Sequence, residues 1–382
     1  MTRKRDQQAI ESAVRVFLAL PTGAKIVVVA IGLVIGGIAL AVYARRPGDQ
    51  AQNPPQSGPV PPGTVVFMFW NVENLFDDHD DHRNSTDEPY DNWFATDAAA
   101  RKMKFDHLTE IILRQNGGNG PHILACVEVE SVRAAELLRD ALNENLPAGA
   151  GKYEHVAMKE LAANAGRFMA PCVISKLPLD SARTRLLGKN NLLVLETHVV
   201  ANGADLTLVA SHWTSQLSDD GSKKGSGRDK YAHVIFDEYA GIVAAKPDAD
   251  FLVCGDFNDD PESDAVANVL HVTGDRAAVV SGASPPRLYG LLSGKPLDRF
   301  STIYYDRERK ASIFDQIAVS PGMLDDRGWG CDPDTVTVPT DGMSREGKVA
   351  RRPWRFGDRD DKAVRRGYAD HFPVVVNLAL RQ

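Results

Sequence analysis

The stretch FLVCGDFNDD, residues 251–260, opens on four apolar residues and closes on carboxylates gathered around one carboxamide. Its first half predicts a buried strand. Carboxylates side by side at the edge of a core repel one another and lose hydration. A strand that ends this way calls for something positive to offset the cost.

The same design recurs along the chain. Apolar segments at 64–71, 122–130, 171–179, 191–200, 204–213, 300–305, 312–320 and 372–380 predict further strands, with Asn202-Gly203 as a hairpin turn. The spacing of Met103, Leu108, Ile111 and Ile112 predicts a helix over 97–115, capped by Thr96 or Asp97. Helices are also expected over 132–146 and 229–245. Mixed strands and helices over residues 64–382 predict a layered α/β architecture. Polar residues close one strand after another, namely Asn71, Glu128, His212 and Asp256. Strand ends are where sites assemble in sheet proteins.

Six segments stand out: FWNVENLFD (69–77), CVEVE (126–130), SHW (211–213), GDFNDD (255–260), FDQIAVS (314–320) and YADHFPV (368–374). Each begins or ends an expected strand and supplies Asn, Asp, Glu or His. Oxygen donors suit Mg²⁺ or Mn²⁺. With no Cys pair or HExxH, zinc fits less well.

Together and in this order, the six segments resemble the endonuclease/exonuclease/phosphatase superfamily, the fold of deoxyribonuclease I, over residues 64–382. The subgroup resembles bacterial "NVENLFD" proteins. The resemblance implies a four-layer α/β/β/α sandwich and a metal-dependent phosphoesterase. It implies that Glu128 is the main metal ligand, with Asn71 at the metal site, Asp370 close by and Glu73 a further acidic contact. It implies that His371 pairs with Asp315, that His212 lies near the scissile phosphate, that Asp256 orients or deprotonates the attacking water and that Asn258 holds a phosphate oxygen. Relatives often carry an Arg after the His-Trp motif, so Arg228 is the first candidate for a substrate phosphate contact, with Lys224 and Lys230 beside it. Ser211 and Gln316 stand where many relatives place Asn and His.

The chemistry supports these roles independently. Attack on phosphorus needs an activated water and charge relief on the phosphoryl oxygens. An imidazole held by a carboxylate supplies a cation, because the partner raises its pKa. Plainer readings exist for each residue. Asp256 and Asn258 alone suit a turn, and His371 alone suits a surface position. Glu130 shares the chemistry of Glu128, and period-two alternation puts both on one face. The acidic segment 77–89, with His79 and His82, reads as a solvated loop or a further cation site. The Arg-rich segment 350–368 reads as a solvated loop, with nucleic-acid or headgroup contact as the alternative.

The N-terminal 46 residues differ from the rest. Residues 26–43 hold no charge over 18 positions, at the short end for a transmembrane helix. Basic residues dominate the preceding flank, which predicts a cytoplasmic N-terminus (1–25) and an extracytoplasmic domain, periplasmic or at the cell surface. A cleaved signal peptide is the competing reading, disfavoured by the long basic region. Residues 47–63 form a Pro-rich spacer. The first 46 residues carry a net +5, so the chain's −7 leaves −12 for the remainder. That argues against broad, non-specific nucleic-acid binding. The four cysteines show no metal spacing and read as core thiols.

The expected activity is cleavage of nucleic acid or nucleotides. Hydrolysis of a lipid or inositol phosphate, acting on a phospholipid headgroup, is the alternative. A catalytically inactive binding protein is the alternative of another class.

Overall fold

The computed structural model describes residues 63–381 apart from 85, 161–166, 168, 189–191, 217–226, 307, 346–350 and 362–364. The expected spanning segment 26–43, the spacer before Gly63 and Lys224 lie outside the described residues. Among the described residues no helix is long and apolar enough to cross a membrane.

The strands are β1 (Thr64–Leu75), β2 (Ile123–Val129), β3 (His155–Met158), β4 (Ala170–Ser175), β5 (Arg185–Leu186), β6 (Val194–Ala201), β7 (Ala204–His212), β8 (Asp250–Asp256), β9 (Val272–Thr273), β10 (Leu288–Gly290), β11 (Ile303–Tyr305), β12 (Lys310–Ser312), β13 (Asp315–Val319), β14 (Trp329–Thr337) and β15 (Val374–Leu380). One sheet runs β14-β15-β1-β2-β4-β3 and the other β5-β6-β7-β8-β13-β10-β9, with β11-β12 a separate ribbon. Each large sheet has a parallel pair near its middle, β1 with β2 and β7 with β8. The remaining neighbours are antiparallel, apart from β9 with β10.

The expected sandwich of two sheets follows from side-chain direction. On β8, Leu252 and Cys254 point into the core shared with the other sheet. Phe251 and Val253 point the other way, into a second core with Ala232, Ile235 and Tyr239. Those three come from a helix over Gly227–Ala245. A strand covered on both faces has no polar side, which is why 251–254 reads as a continuous apolar run. Over the first sheet lie helices at Ala98–Gly118, capped by Asp97 onto the Ala100 N–H, and Val132–Asn145, capped by Ser131 onto the Ala134 N–H. They insert Leu108, Ile111, Ile112, Leu138 and Leu142 into the shared core. All four cysteines are buried and free, as expected.

One expectation needs correcting. The segment read as an acidic loop runs into a helix at Glu88–Thr96. Its Trp93 and Phe94 pack with Phe76, Met169 and Phe356, an aromatic cluster whose members are far apart in sequence. Tertiary burial overrides weak local propensity here.

Candidate active site

Each sheet delivers its site residues on the ends of its parallel pair. Asn71 lies beside Val127 on β1/β2, one residue from Glu128, while His212 and Asp256 are direct partners on β7/β8. Asp315 opens β13 opposite Asp256. His371 precedes β15 and bridges to Ile303. The sandwich thereby brings residues of all six sequence segments to one place.

The contacts form a continuous chain. The Asn71 amide donates to Glu128 Oε1 (3.0 Å) and Asp256 Oδ2 (3.0 Å). The Asn74 N–H donates to Glu128 Oε2 (3.0 Å). His212 Nε2 stands 3.6 Å from Asp256 and 3.9 Å from Glu128. His371 Nε2 stands 3.6 Å from Asp256, and its Nδ1 is 2.6 Å from Asp315 Oδ2. The Asn258 N–H fixes Asp256 Oδ1 (2.9 Å), and its side chain donates to the Trp213 carbonyl (3.0 Å). Asp256 therefore sits between two imidazoles with both carboxylate oxygens held.

Burial opposes the charge on His371, but Asp315, Asp256 and Asp370 outweigh it and raise its pKa well above the ordinary histidine range. Asp315 is pushed up by burial and pulled down by His371. Burial raises Glu128, yet His212, Arg167 and the Asn71 hydrogen bond leave it below its ordinary value. Asp370 is raised by burial, with His371 lowering it and Glu128 raising it.

A divalent cation fits beside Glu128 and Asp370. Asp370 Oδ1 is buried with no hydrogen-bond partner, a costly state that a cation relieves. Glu128 and Asp370 offer carboxylate oxygens, the donors such an ion prefers, while Asn71 turns its amide nitrogen to Glu128 and its Oδ1 to the Glu73 N–H (3.1 Å). Asp256, Asp315 and His371 also bring ligand-type atoms within 4.8 Å of one another, but an imidazole held protonated by Asp315 has no lone pair to give a metal.

The period-two reading of Glu128 and Glu130 fails. Glu128 has a φ of +63° and the strand pairing shifts between Cys126 and Val129. Glu130 instead accepts from Arg83 Nε (2.7 Å) and the Asp77 N–H (3.2 Å). Its carboxyl is pushed up to about 7 by burial and by Asp77. Glu73, also in the left-handed region (φ +51°), accepts from the Phe356 (2.7 Å) and Gly357 (3.1 Å) N–H groups and from Arg355 Nε (3.2 Å). Burial and Asp370 raise it to about 7. The Glu73 carboxylate is thus bound to the Arg355–Gly357 stretch. Arg228 Nε is 3.1 Å from Asp259 of the GDFNDD segment, and Lys230 is exposed in the first turn of the same helix. Segment 350–368 is more than a solvated loop. Arg351 donates to the Ser301 and Val338 carbonyls, and Arg366 to those of Phe356 and Asp358. Ser211 accepts from the Trp213 indole (3.0 Å) and Gln316 donates to the Asp259 carbonyl (2.7 Å), so both departures from the family pattern are used structurally.

Three neighbours escaped the sequence reading. Lys104 is fully buried, donates to the Tyr368 carbonyl (2.9 Å) and is pulled down to about 8 by burial against the attraction of Glu73, Asp370 and Glu128. Its signal was present: it occupies a core-facing position with Leu108 and Ile111. Arg167 lies in the field of Glu128. Tyr305 has its phenol pushed upward by burial and by Asp256 and Asp370. Neither of these two carried a motif.

A family model described as Endonuclease/Exonuclease/phosphatase family matches residues 66–380. Among solved structures, the chain is similar to a Bacteroides thetaiotaomicron endonuclease/exonuclease/phosphatase family protein (14% identity, 83% of this chain, 98% of that one, TM-score 0.49). It is similar to a mannosyl-6-phosphatase of the same organism (15%, 83% and 100%, TM-score 0.47). It is also similar to D. rerio TDP2 complexed with a single-strand DNA product (15%, 83% and 99%, TM-score 0.49). No curated protein matches.

Proposed function

The chain belongs to the endonuclease/exonuclease/phosphatase family, and from that premise we propose that it is a membrane-anchored phosphodiesterase that cleaves nucleic acid or nucleotides. Hydrolysis of phosphoester bonds with a divalent metal comes with the family. The diester substrate, Mg²⁺ or Mn²⁺ as the ion, and an extracytoplasmic domain tethered through residues 26–43 are our reading. The anchor and its orientation rest on the uncharged run and its basic flank.

The observation that carries the reading is the placement of Asp256. It is held by Asn71 and Asn258, midway between His212 and His371. Asp256 accepts a proton from the attacking water, and the fixed carboxylate keeps that water in line. His371, protonated through Asp315, relieves charge on a phosphoryl oxygen from one side. Glu128 and Asp370, with Asn71 beside them, would hold a divalent ion, and that ion would supply Lewis-acid charge relief to the phosphoryl group. Asn258 keeps one amide N–H beyond the one given to Trp213, available to a second phosphoryl oxygen. One cationic imidazole and one metal flank suit the single negative charge of a diester.

The test incubates full chain in detergent with supercoiled plasmid and Mg²⁺ or Mn²⁺, beside His371→Ala. Nicking by the wild type alone supports the assignment. Equal nicking by both removes His371 from the chemistry. No nicking by either moves the substrate to lipid or inositol phosphoesters, tested on anionic vesicles.

A further inference from the structure

The left-handed pair Glu73 (φ +51°) and Asn74 (φ +53°) lies in a bulge of β1, where pairing with β2 shifts between Asn71 and Leu75. Left-handed backbone is costly for glutamate, and bulges re-aim side chains. Here the bulge seats two arginines from distant loops. Glu73 binds Arg355 Nε at 3.2 Å. Asn74 Oδ1 accepts from Arg167 Nη2 at 2.6 Å, while Arg167 Nε is fixed on the buried Asp87 carboxylate at 2.6 Å. The same two bulge residues are tied to the catalytic cluster: the Glu73 N–H donates to Asn71 Oδ1 (3.1 Å) and the Asn74 N–H to Glu128 Oε2 (3.0 Å).

Both guanidiniums are anchored yet open. Their side chains remain 41% (Arg167) and 53% (Arg355) exposed. A guanidinium also carries more N–H donors than the two Arg167 uses and the one Arg355 uses in these contacts. Tyr90, half-buried, stacks its ring on Phe76 with centroids 5.7 Å apart. Burial, Asp358 and Glu73 raise its phenol, and the charges of Arg355 and Arg167 oppose them.

We propose that Arg167 and Arg355, seated on the adjacent Asn74 and Glu73, form a second phosphate subsite on the Glu128 side of the centre, which holds a phosphate neighbouring the one attacked. This deepens the phosphodiesterase reading and rests on it for the identity of the attacked group. Two pre-anchored forks match the bidentate geometry that phosphate prefers. The chemistry is shared by two sources, the adjacent phosphate of a nucleic-acid strand and a second phosphate on a small molecule.

The test has a binding arm and a turnover arm. In the first, full chain stripped of divalent ions is titrated calorimetrically with pyrophosphate. Arg167→Gln and Arg355→Gln are each expected to weaken binding about tenfold, about 1.4 kcal/mol. Unchanged affinity in both variants overturns the subsite, whatever the activity. In the second arm, KM is compared for a thymidine trinucleotide, for the same trinucleotide with its non-scissile phosphate made a neutral methylphosphonate, and for bis(p-nitrophenyl) phosphate. The expected result is a raised KM for the first substrate only. An inositol bisphosphate beside its monophosphate identifies the small-molecule source if the nucleotide shows no effect. Equal loss by the variants on bis(p-nitrophenyl) phosphate also overturns the proposal, since that ester has no second phosphate. Failure of the wild type on every ester sinks the phosphodiesterase reading and leaves calorimetry to decide the subsite. Arg167→Gln serves if Arg355→Gln unfolds, because Arg355 also balances Glu73.

Discussion

Asp315→Asn isolates the electrostatic part of the proposed mechanism. The substitution keeps the shape of a side chain buried against His371 and removes only its charge. A hydrogen bond to a charged group contributes about 1.5–3 kcal/mol against about 0.5–1.5 for a neutral one. The loss of charge assistance alone is therefore about 1–1.5 kcal/mol, roughly one unit of His371 pKa at 1.36 kcal/mol per unit. A Coulomb estimate gives more. Charge centres about 4 Å apart at an effective dielectric of about 20 interact by about 4 kcal/mol, or roughly three units. The His371 pKa is expected to fall by about one to three units. The sign follows from the cationic form being the active one. Activity persists below the His371 pKa and is lost as pH rises through it. The wild type, with that pKa raised well above the ordinary range, holds its activity into alkaline solution, and Asp315→Asn loses it at lower pH. The assay is kcat/KM against pH on bis(p-nitrophenyl) phosphate with saturating metal. An alkaline limb at the same pH in both proteins would refute the claim that Asp315 keeps His371 protonated. A lower plateau with an unmoved limb would show Asp315 acting through geometry alone.

Three further outcomes are expected. Glu128→Gln removes one of the two carboxylates facing the cation and weakens Mn²⁺ binding in calorimetry by tenfold or more; unchanged affinity places the ion elsewhere. Lys104→Met leaves the buried Glu73 and Asp370 carboxylates without their buried cation and costs about 3–5 kcal/mol in urea unfolding, and a loss below about 1 kcal/mol shows Arg355 suffices. Glu130 carries a carboxyl raised to about 7, so the folded state holds its proton more tightly than the unfolded one. Stability then falls as pH rises from about 4.5 to about 7, by up to about 3 kcal/mol before any discount for Arg83. Glu130→Gln is expected to flatten that slope, read as unfolding midpoint against pH.

Why the sequence revealed some of this and hid the rest is a matter of contact range. The 251–254 run and Asp256 were legible because a doubly covered strand must be apolar throughout and must end where the covering ends. The Glu88–Thr96 helix was hidden because what stabilises it, Phe76 and Phe356, lies outside its own segment. Strand β14 was hidden because WGCDPDTVT reads as polar and contains Pro333, which an edge strand tolerates. At the site, residues with motif context could be named, but where strained backbone aims them could not be read. Glu73, Asn74, Glu128 and Asn258 all have positive φ, and no periodicity rule anticipates a left-handed residue other than glycine. The strain has a consequence for function. At Glu128 it separates two glutamates that alternation would have put side by side, leaving Glu130 to Arg83 and giving Glu128 to Asn71 and His212. At Glu73 and Asn74 it holds two arginines against the same cluster. Costs of order 1–3 kcal/mol per strained residue persist only where the surroundings over-determine them. Here the strained backbone is held by the very hydrogen bonds that position the carboxylates, so relaxing it requires dismantling the site.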